Sequence, residues 1–151
     1  MRPAARRLAL AATAFGGVLA GINVERLVVQ MPALRRLGPQ IWGDYSRNAD
    51  LAATGMTLYP FVRIGHAALS VATAAAGSRD RRSRAAAFTA AALALGGMAL
   101  TFKAAPLMLS VRQMENDARA LERARRGFNY WSRIRAACQI GVFAANVWTL
   151  R

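Results

Sequence analysis

An all-α fold, four transmembrane helices packed up and down, is what this 151-residue sequence predicts. Three observations carry that prediction. The chain is 55% hydrophobic yet holds 21 Lys and Arg against 7 Asp and Glu, a formal charge of +14. That charge is segregated, because four stretches, 8–24, 64–78, 85–102 and 136–150, contain no Asp, Glu, Lys or Arg. Segments such as 71–76 and 90–95 are also apolar all round, whereas a soluble surface helix shows one apolar stripe with a period of 3.6. A spanning helix needs about 20 mostly apolar residues at a rise of ~1.5 Å. Each stretch reaches that length once one or two flanking residues are admitted. An Ala-rich soluble bundle is the competing fold.

The same numbers exclude other classes. A disordered chain combines high charge with low hydrophobicity, and this one does not. The single cysteine, Cys138, excludes a disulfide-stapled module. The apolar content argues against a nucleic-acid partner despite a pI of 11.8. One integral membrane domain, 1–151, is expected.

The first span is expected over 8–30, closed by Pro32, which lacks an amide proton and disfavours helix just before it. Gly17 and Gly21 offer a small surface for close helix approach. The connection from Met31 to Thr57 holds Trp42 and Tyr45, suited to a membrane interface. The second span, 58–77, has Pro60 in its first turn, and arginines fill the gap up to Arg84. The third, 85–110, should kink at Pro106 and present Gly96 and Gly97 to a neighbour. Segment 111–127 reads as an amphipathic helix, lying on the membrane or extending the third span. There Glu115/Arg119 and Glu122/Arg126 are spaced as ion pairs and Met114, Ala118, Leu121 and Phe128 share a face, with Gly127 as the stop. The fourth span is 131–150.

The density of positive residues favours both termini on the cytoplasmic side of a bacterial cytoplasmic membrane. Arg2, Arg6 and Arg7 mark the amino end, and Arg79, Arg81, Arg82 and Arg84 the second connection. Residues 2–20 also have the layout of a secretory signal. Apolar sequence continues through Ile22 and Val24 to Val29, so the expectation is a retained helix.

Charges inside the spans are the most informative feature. Depth is counted in helical turns from the side of the first and third connections. Glu25 and Arg26 lie little more than one turn inside the first span, and Arg63 and His66 between one and two turns inside the second. Lys103 lies about two turns inside the third, and Arg135 about one turn inside the fourth. All four helices thus place ionisable groups at one level. A charge within a bilayer is costly and faces a partner or a wet cavity, or else snorkels to lipid headgroups. Glu25 can neutralise only part of the positive charge, and the surplus should attract a carboxylate, phenolate, enolate or lipid phosphate. Arg63 and His66 have three-residue spacing and could address one ligand. His66 is the only histidine, the side chain whose ordinary pKa lies near neutrality.

Nothing in the sequence suggests a metal or cofactor. One His, one Cys and scattered carboxylates make no metal-binding cluster, and phosphate-loop, dinucleotide and C-x-x-C motifs are missing. Cys138 in apolar surroundings should be inert, and the six methionines do not cluster.

The Gly-rich first helix leading to Met31-Pro32-Ala33-Leu34, Tyr59-Pro60 opening the second, Pro106 late in the third and Trp131-Ser132-Arg133-Ile134-Arg135 entering the last form a pattern. It resembles the anthrone oxygenase-like family, small four-helix integral membrane proteins long catalogued as a domain of unknown function. The resemblance implies oxidation of an activated aromatic carbon by dioxygen without an evident metal site. It carries over Arg135 and, more loosely, Trp131 and His66. Two readings follow. In the enzyme, His66 removes a proton from an anthrone or phenol while Arg63 and Arg135 stabilise the enolate; replacing His66 with Ala should then abolish turnover with the fold intact. In this reading Glu25, Arg26, Lys103 and Trp131 belong to the binding site. In the non-enzymatic alternative the cluster holds membrane lipid or another subunit, and the chain is an accessory component of a homo-oligomer or larger complex. A small proton-coupled carrier using Glu25 is a third, weaker alternative.

Overall fold

The computed structural model describes residues 3–77 and 81–151, and among them every regular element is helical. Arg2, at the signal-like amino end, and Arg79, counted for orientation, lie outside the described residues. Helix α1 (Pro3–Glu25) passes through a π-turn (Arg26–Gln30) into α2 (Met31–Leu37), and α3 (Pro39–Tyr45) passes through a second π-turn (Ser46–Asp50). Then come α4 (Ala53–Ala76), α5 (Arg81–Ala99), α6 (Thr101–Leu109) with a short 3-10 turn (Ser110–Gln113), and α7 (Ala118–Thr149).

The four long helices pack in a ring in which α1 touches α4, α4 touches α5, α5 touches α7 and α7 returns to α1. The charge-free half of the ring is held by small residues. Ala67, Ala90, Ala94 and Val142 form one buried cluster and Ala74, Ala87 and Ala91 another. Alanine lets helix backbones approach closely, so contact there comes from backbone proximity rather than large side chains. The other half is built on bulk, with Trp42, Val111, Leu121 and Phe128 packed around Ala104 and Ala124.

Two helical runs, Pro3–Leu37 and Arg81–Gln113, contain an 18-residue stretch apolar enough to cross a membrane. Only 33% and 22% of those stretches is buried inside the molecule, so their apolar surface mostly faces outward. The sequence predicts four such spans. The other two helices are long enough but less apolar: Arg63 and His66 interrupt α4, and α7 carries Gln139 and Asn146 besides its arginines.

Several local expectations are corrected. Pro32 does not close the first helix. It enters α2 directly after the π-turn, in which the Met31 amide reaches back to the Arg26 carbonyl. The wider turn relieves the clash a proline ring makes with the preceding turn. The connection 31–57 is mostly helical. It turns at Gly38, whose φ of 98° suits a residue without Cβ, and Pro39 then starts α3. Trp42 is no interfacial anchor; it is 3% exposed, with its ring 6.4 Å from that of Phe128. Helix α4 begins at Ala53, so Pro60 lies inside it, past the first turn. The third run breaks at Leu100, just beyond Gly96 and Gly97, rather than at Pro106, which α6 accommodates.

The amphipathic segment is the largest change. Its residues 111–113 finish the third run as part of the 3-10 turn, and 118–127 form the first third of α7. Asp117 caps that helix, its Oδ1 accepting from the amides of Arg119 at 2.9 Å and Ala120 at 3.1 Å, which satisfies two donors that a helix start leaves open. Glu115 sits in the turn ahead of it with φ 35° and forms no ion pair with Arg119 among the described residues. Glu122 does bind Arg126, at 2.7 Å, and also Arg125. Gly127 is not a stop, because α7 runs through it. A Cβ there would stand 2.9 Å from Leu107 Cδ1, so its role is to admit α6.

Candidate anion site

Helix α6 packs on α7, and its contacts with α4 are sparse. The resulting crevice is a cavity of about 360 Å³ between the first half of α4 and the α5–α6 break. Its walls are apolar, supplied by Pro60, Ile64, Met98, Phe102, Met108 and Leu109, and Phe102 at its side is 80% exposed. Four charged residues line it as well: Arg26, Asp50, Arg63 and Arg135.

These four come from separate elements. Arg26 opens the first π-turn, Asp50 closes the second, Arg63 projects from α4 and Arg135 from α7. Arg26 Nη2 donates to Asp50 Oδ2 at 2.5 Å, and its guanidinium also lies 5.6 Å from the centre of the Phe128 ring. Asp50 Oδ1 is buried without a partner among the described residues. Arg135 is 9% exposed; its Nη2 reaches Ser132 Oγ at 3.4 Å, and its Nε has no partner among the same residues. Arg63 makes no ion pair among the described residues. The Arg26–Asp50 pair is neutral, so Arg63 and Arg135 bring two uncompensated positive charges to one end of an apolar cavity. Removing such charges from water without a counterion is expensive, and an anion that enters recovers part of that cost.

The remaining expected residues lie elsewhere. Glu25 and Lys103 are exposed and do not line the cavity. Trp131 is half-buried, packs against the cluster that holds Trp42 and Phe128, and meets Tyr130 edge-on at 5.0 Å. His66 is 1% exposed and turned into the bundle. Gln139 Nε2 lies 2.9 Å from its Nδ1 and Asn146 Nδ2 lies 3.4 Å from its Nε2. Gly16 of α1 leaves room for the ring, since a Cβ there would stand 2.9 Å from His66 Nε2. Three residues along a helix leave two side chains about 60° apart in direction. Here that separation is enough for Arg63 to line the cavity while His66 faces α1 and α7.

Asp50 is the residue that sequence reasoning missed. It lies in what reads as a connection, and only its place just ahead of the second charge-poor stretch hinted at the level of Arg26.

No family model matches the chain, and the curated proteins and solved structures give no match either.

Proposed function

We propose that the chain is an integral membrane protein with four helical spans in up-and-down order, whose lateral cavity takes up a hydrophobic anion from the bilayer. The outward-facing apolar stretches of α1–α2 and α5–α6 support insertion, as does the exposure of Val28, Phe61 and Phe102 at 68%, 74% and 80%. Exposed apolar surface on that scale marks contact with lipid or a partner. With both termini cytoplasmic, the cavity lies near the outer face of the bacterial cytoplasmic membrane. Its apolar walls meet the tail of the ligand, and Arg63 and Arg135 meet the anionic head. The observation that carries this reading is a buried guanidinium, Arg135, and a half-buried one, Arg63, that make no ion pair among the described residues and stand at the end of a 360 Å³ apolar space. The test is thermal stabilisation of the purified protein by a long-chain carboxylate and by its uncharged methyl ester. The acid should stabilise the protein, the ester should not, and the double variant Arg63→Gln/Arg135→Gln should lose the response. Equal stabilisation by acid and ester would overturn the reading.

A second reading follows from the resemblance to anthrone oxygenase-like proteins. There the same arginines stabilise the enolate oxygen of an anthrone-like aromatic, which dioxygen attacks. The Asp50 carboxylate in the cavity wall favours it, since His66, engaged by Gln139 and Asn146, does not line the cavity. Dioxygen uptake with anthrone as substrate tests it; uptake unchanged by Arg135→Gln removes it.

A further inference from the structure

The two runs apolar enough to cross a membrane present matching outer faces. On α1, Ala14, Val18, Gly21 and Glu25 are all exposed, and on α5–α6 so are Ala92, Gly96, Ala99 and Lys103. Each set steps by four, three and four residues, which keeps it on one side of its helix. The break at Leu100 preserves that phase, because the Leu100 amide donates to the Gly96 carbonyl and the Ala104 amide to that of Leu100. Each face ends on a charge, and the two charges are opposite. Glu25 and Lys103 form no ion pair or hydrogen bond among the described residues. The faces also share a direction and a level. Along α1, Gly17 meets Phe143 and Arg26 meets Phe128 of α7; along α5–α6, Leu93 meets Gly141 and Leu107 meets Gly127. Both runs are therefore antiparallel to α7 and parallel to each other, with Glu25 and Lys103 both near the level of Phe128. Because α1 and α5 occupy opposite corners of the helix ring, their outer faces point apart and cannot pair within one copy.

We infer that copies of this chain associate side by side in the membrane, the α1 face of one against the α5–α6 face of the next, with Glu25 paired to Lys103 of the partner subunit. This rests on the membrane-spanning reading above. Copies inserted in the same orientation bring the two parallel faces together at matching depth. A lone charge facing lipid is costly, and the surroundings here are apolar, with Val24, Val28 and Phe102 at 45%, 68% and 80% exposure. A Cβ at Gly21 or Gly96 would meet nothing within 4 Å, so each glycine leaves a notch where a neighbouring helix can approach closely. Charge then selects the pairing. The α1 face against itself sets Glu25 beside Glu25, and the α5–α6 face against itself sets Lys103 beside Lys103. Both are repulsive, strongly so at low dielectric; only the mixed contact neutralises both charges. Such a contact is head to tail, so the assembly grows as a row or closes as a ring rather than stopping at a two-fold dimer.

Self-association of the fluorescently labelled full chain in phosphatidylcholine vesicles, read by energy transfer between copies, tests the pairing. Glu25→Lys and Lys103→Glu should each weaken association about tenfold. Mixing the two variants should restore transfer between them, since each supplies the charge the other lacks, and the double variant Glu25→Lys/Lys103→Glu should associate as the native chain does. Single variants that associate as tightly as the native chain overturn the inference. So does a loss that neither mixing nor the double variant repairs, which is the result a misfolded variant gives. Alkaline carbonate extraction of the same vesicles separates this inference from the reading it rests on. A native chain that stays in the bilayer without associating overturns the pairing alone, and a chain that is released overturns the membrane reading as well.

Discussion

Arg26 and Asp50 meet at 2.5 Å across 24 residues of sequence, and each stands in a π-turn, the first at its start and the second at its end. A π-turn shifts the helical phase of the residues beyond it. These two occur where the first helix passes into α2 and where α3 leads to α4. The pair therefore ties the two turns together beside the cavity, with the Asp50 side chain 6% exposed and that of Arg26 16% exposed.

Breaking one side of this pair leaves a buried charge uncompensated. Arg26→Met should lower stability by about 3 kcal/mol, whereas Glu25→Gln, at the exposed neighbouring position, should stay within about 0.5 kcal/mol. Thermal unfolding in detergent compares the two. The double variant Arg26→Met/Asp50→Asn should recover part of the loss, and strict additivity would refute the coupling.

Arg135 trades stability for binding. With its Nε unpartnered and its charge buried, Arg135→Met should raise the melting temperature of the ligand-free protein, a gain of about 1–2 kcal/mol. The same variant should lose the stabilisation that an anionic amphiphile gives. A variant less stable than the native protein without ligand would show that Arg135 already has its counterion within the chain.

His66 is placed to hold α4 against α1 and α7. Its replacement by Ala opens a cavity and strands Gln139. His66→Ala should therefore cost about 2–3 kcal/mol. Anion affinity at the cavity should change by less than about twofold. Calorimetry on the variant distinguishes this from a chemical role, in which activity or binding falls and the melting temperature holds.

Two glycines of α4 should respond oppositely to Ala. A Cβ at Gly55 would stand 2.4 Å from the Ala49 carbonyl oxygen and 2.7 Å from that of Asp50, both backbone atoms that cannot step aside. Gly55→Ala should therefore push α4 off the second π-turn and weaken anion binding together with stability. Gly65 has nothing within 4 Å of that position. Gly65→Ala should be neutral or stabilising by up to about 1 kcal/mol through helix propensity.

The start of α7 should loosen in acid. Asp117 is held below the usual carboxylate range, first by its hydrogen bond from the Ala120 amide, and Glu122 first by its bond to the Arg126 guanidinium. Both carboxylates are more acidic folded than unfolded. Their contribution is complete above the unfolded values, near pH 4, and is lost as pH falls through the lower folded values. Hydrogen exchange over residues 118–126, corrected for intrinsic rates, should rise between about pH 5 and about pH 2.5. Asp117→Ala should remove much of that dependence by raising exchange already at the upper end of this range.

Some of this was legible in advance. The charge-free stretches located the long helices, because clustering of apolar residues is a local property. The rise per residue placed Arg26, Arg63 and Arg135 at a common level, because distance along a helix follows from counting. The Glu122–Arg126 pair followed from spacing on one turn.

Other features needed the packed structure. Whether Gly127 ends a helix or admits Leu107 depends on what lies beside it, and α6 supplies that neighbour. The divergence of Arg63 and His66 depends on the rotation of α4 about its axis, which burial against α1 and α7 sets. Asp50 joins the site only through a contact spanning 24 residues. Sequence alone determined where the long helices run and the common level of Arg26, Arg63 and Arg135 along them, since each depends on neighbours along the chain. Tertiary structure decided which charges meet, which atoms stay unpaired and where the cavity opens, because those depend on helix rotation and on partners distant in sequence.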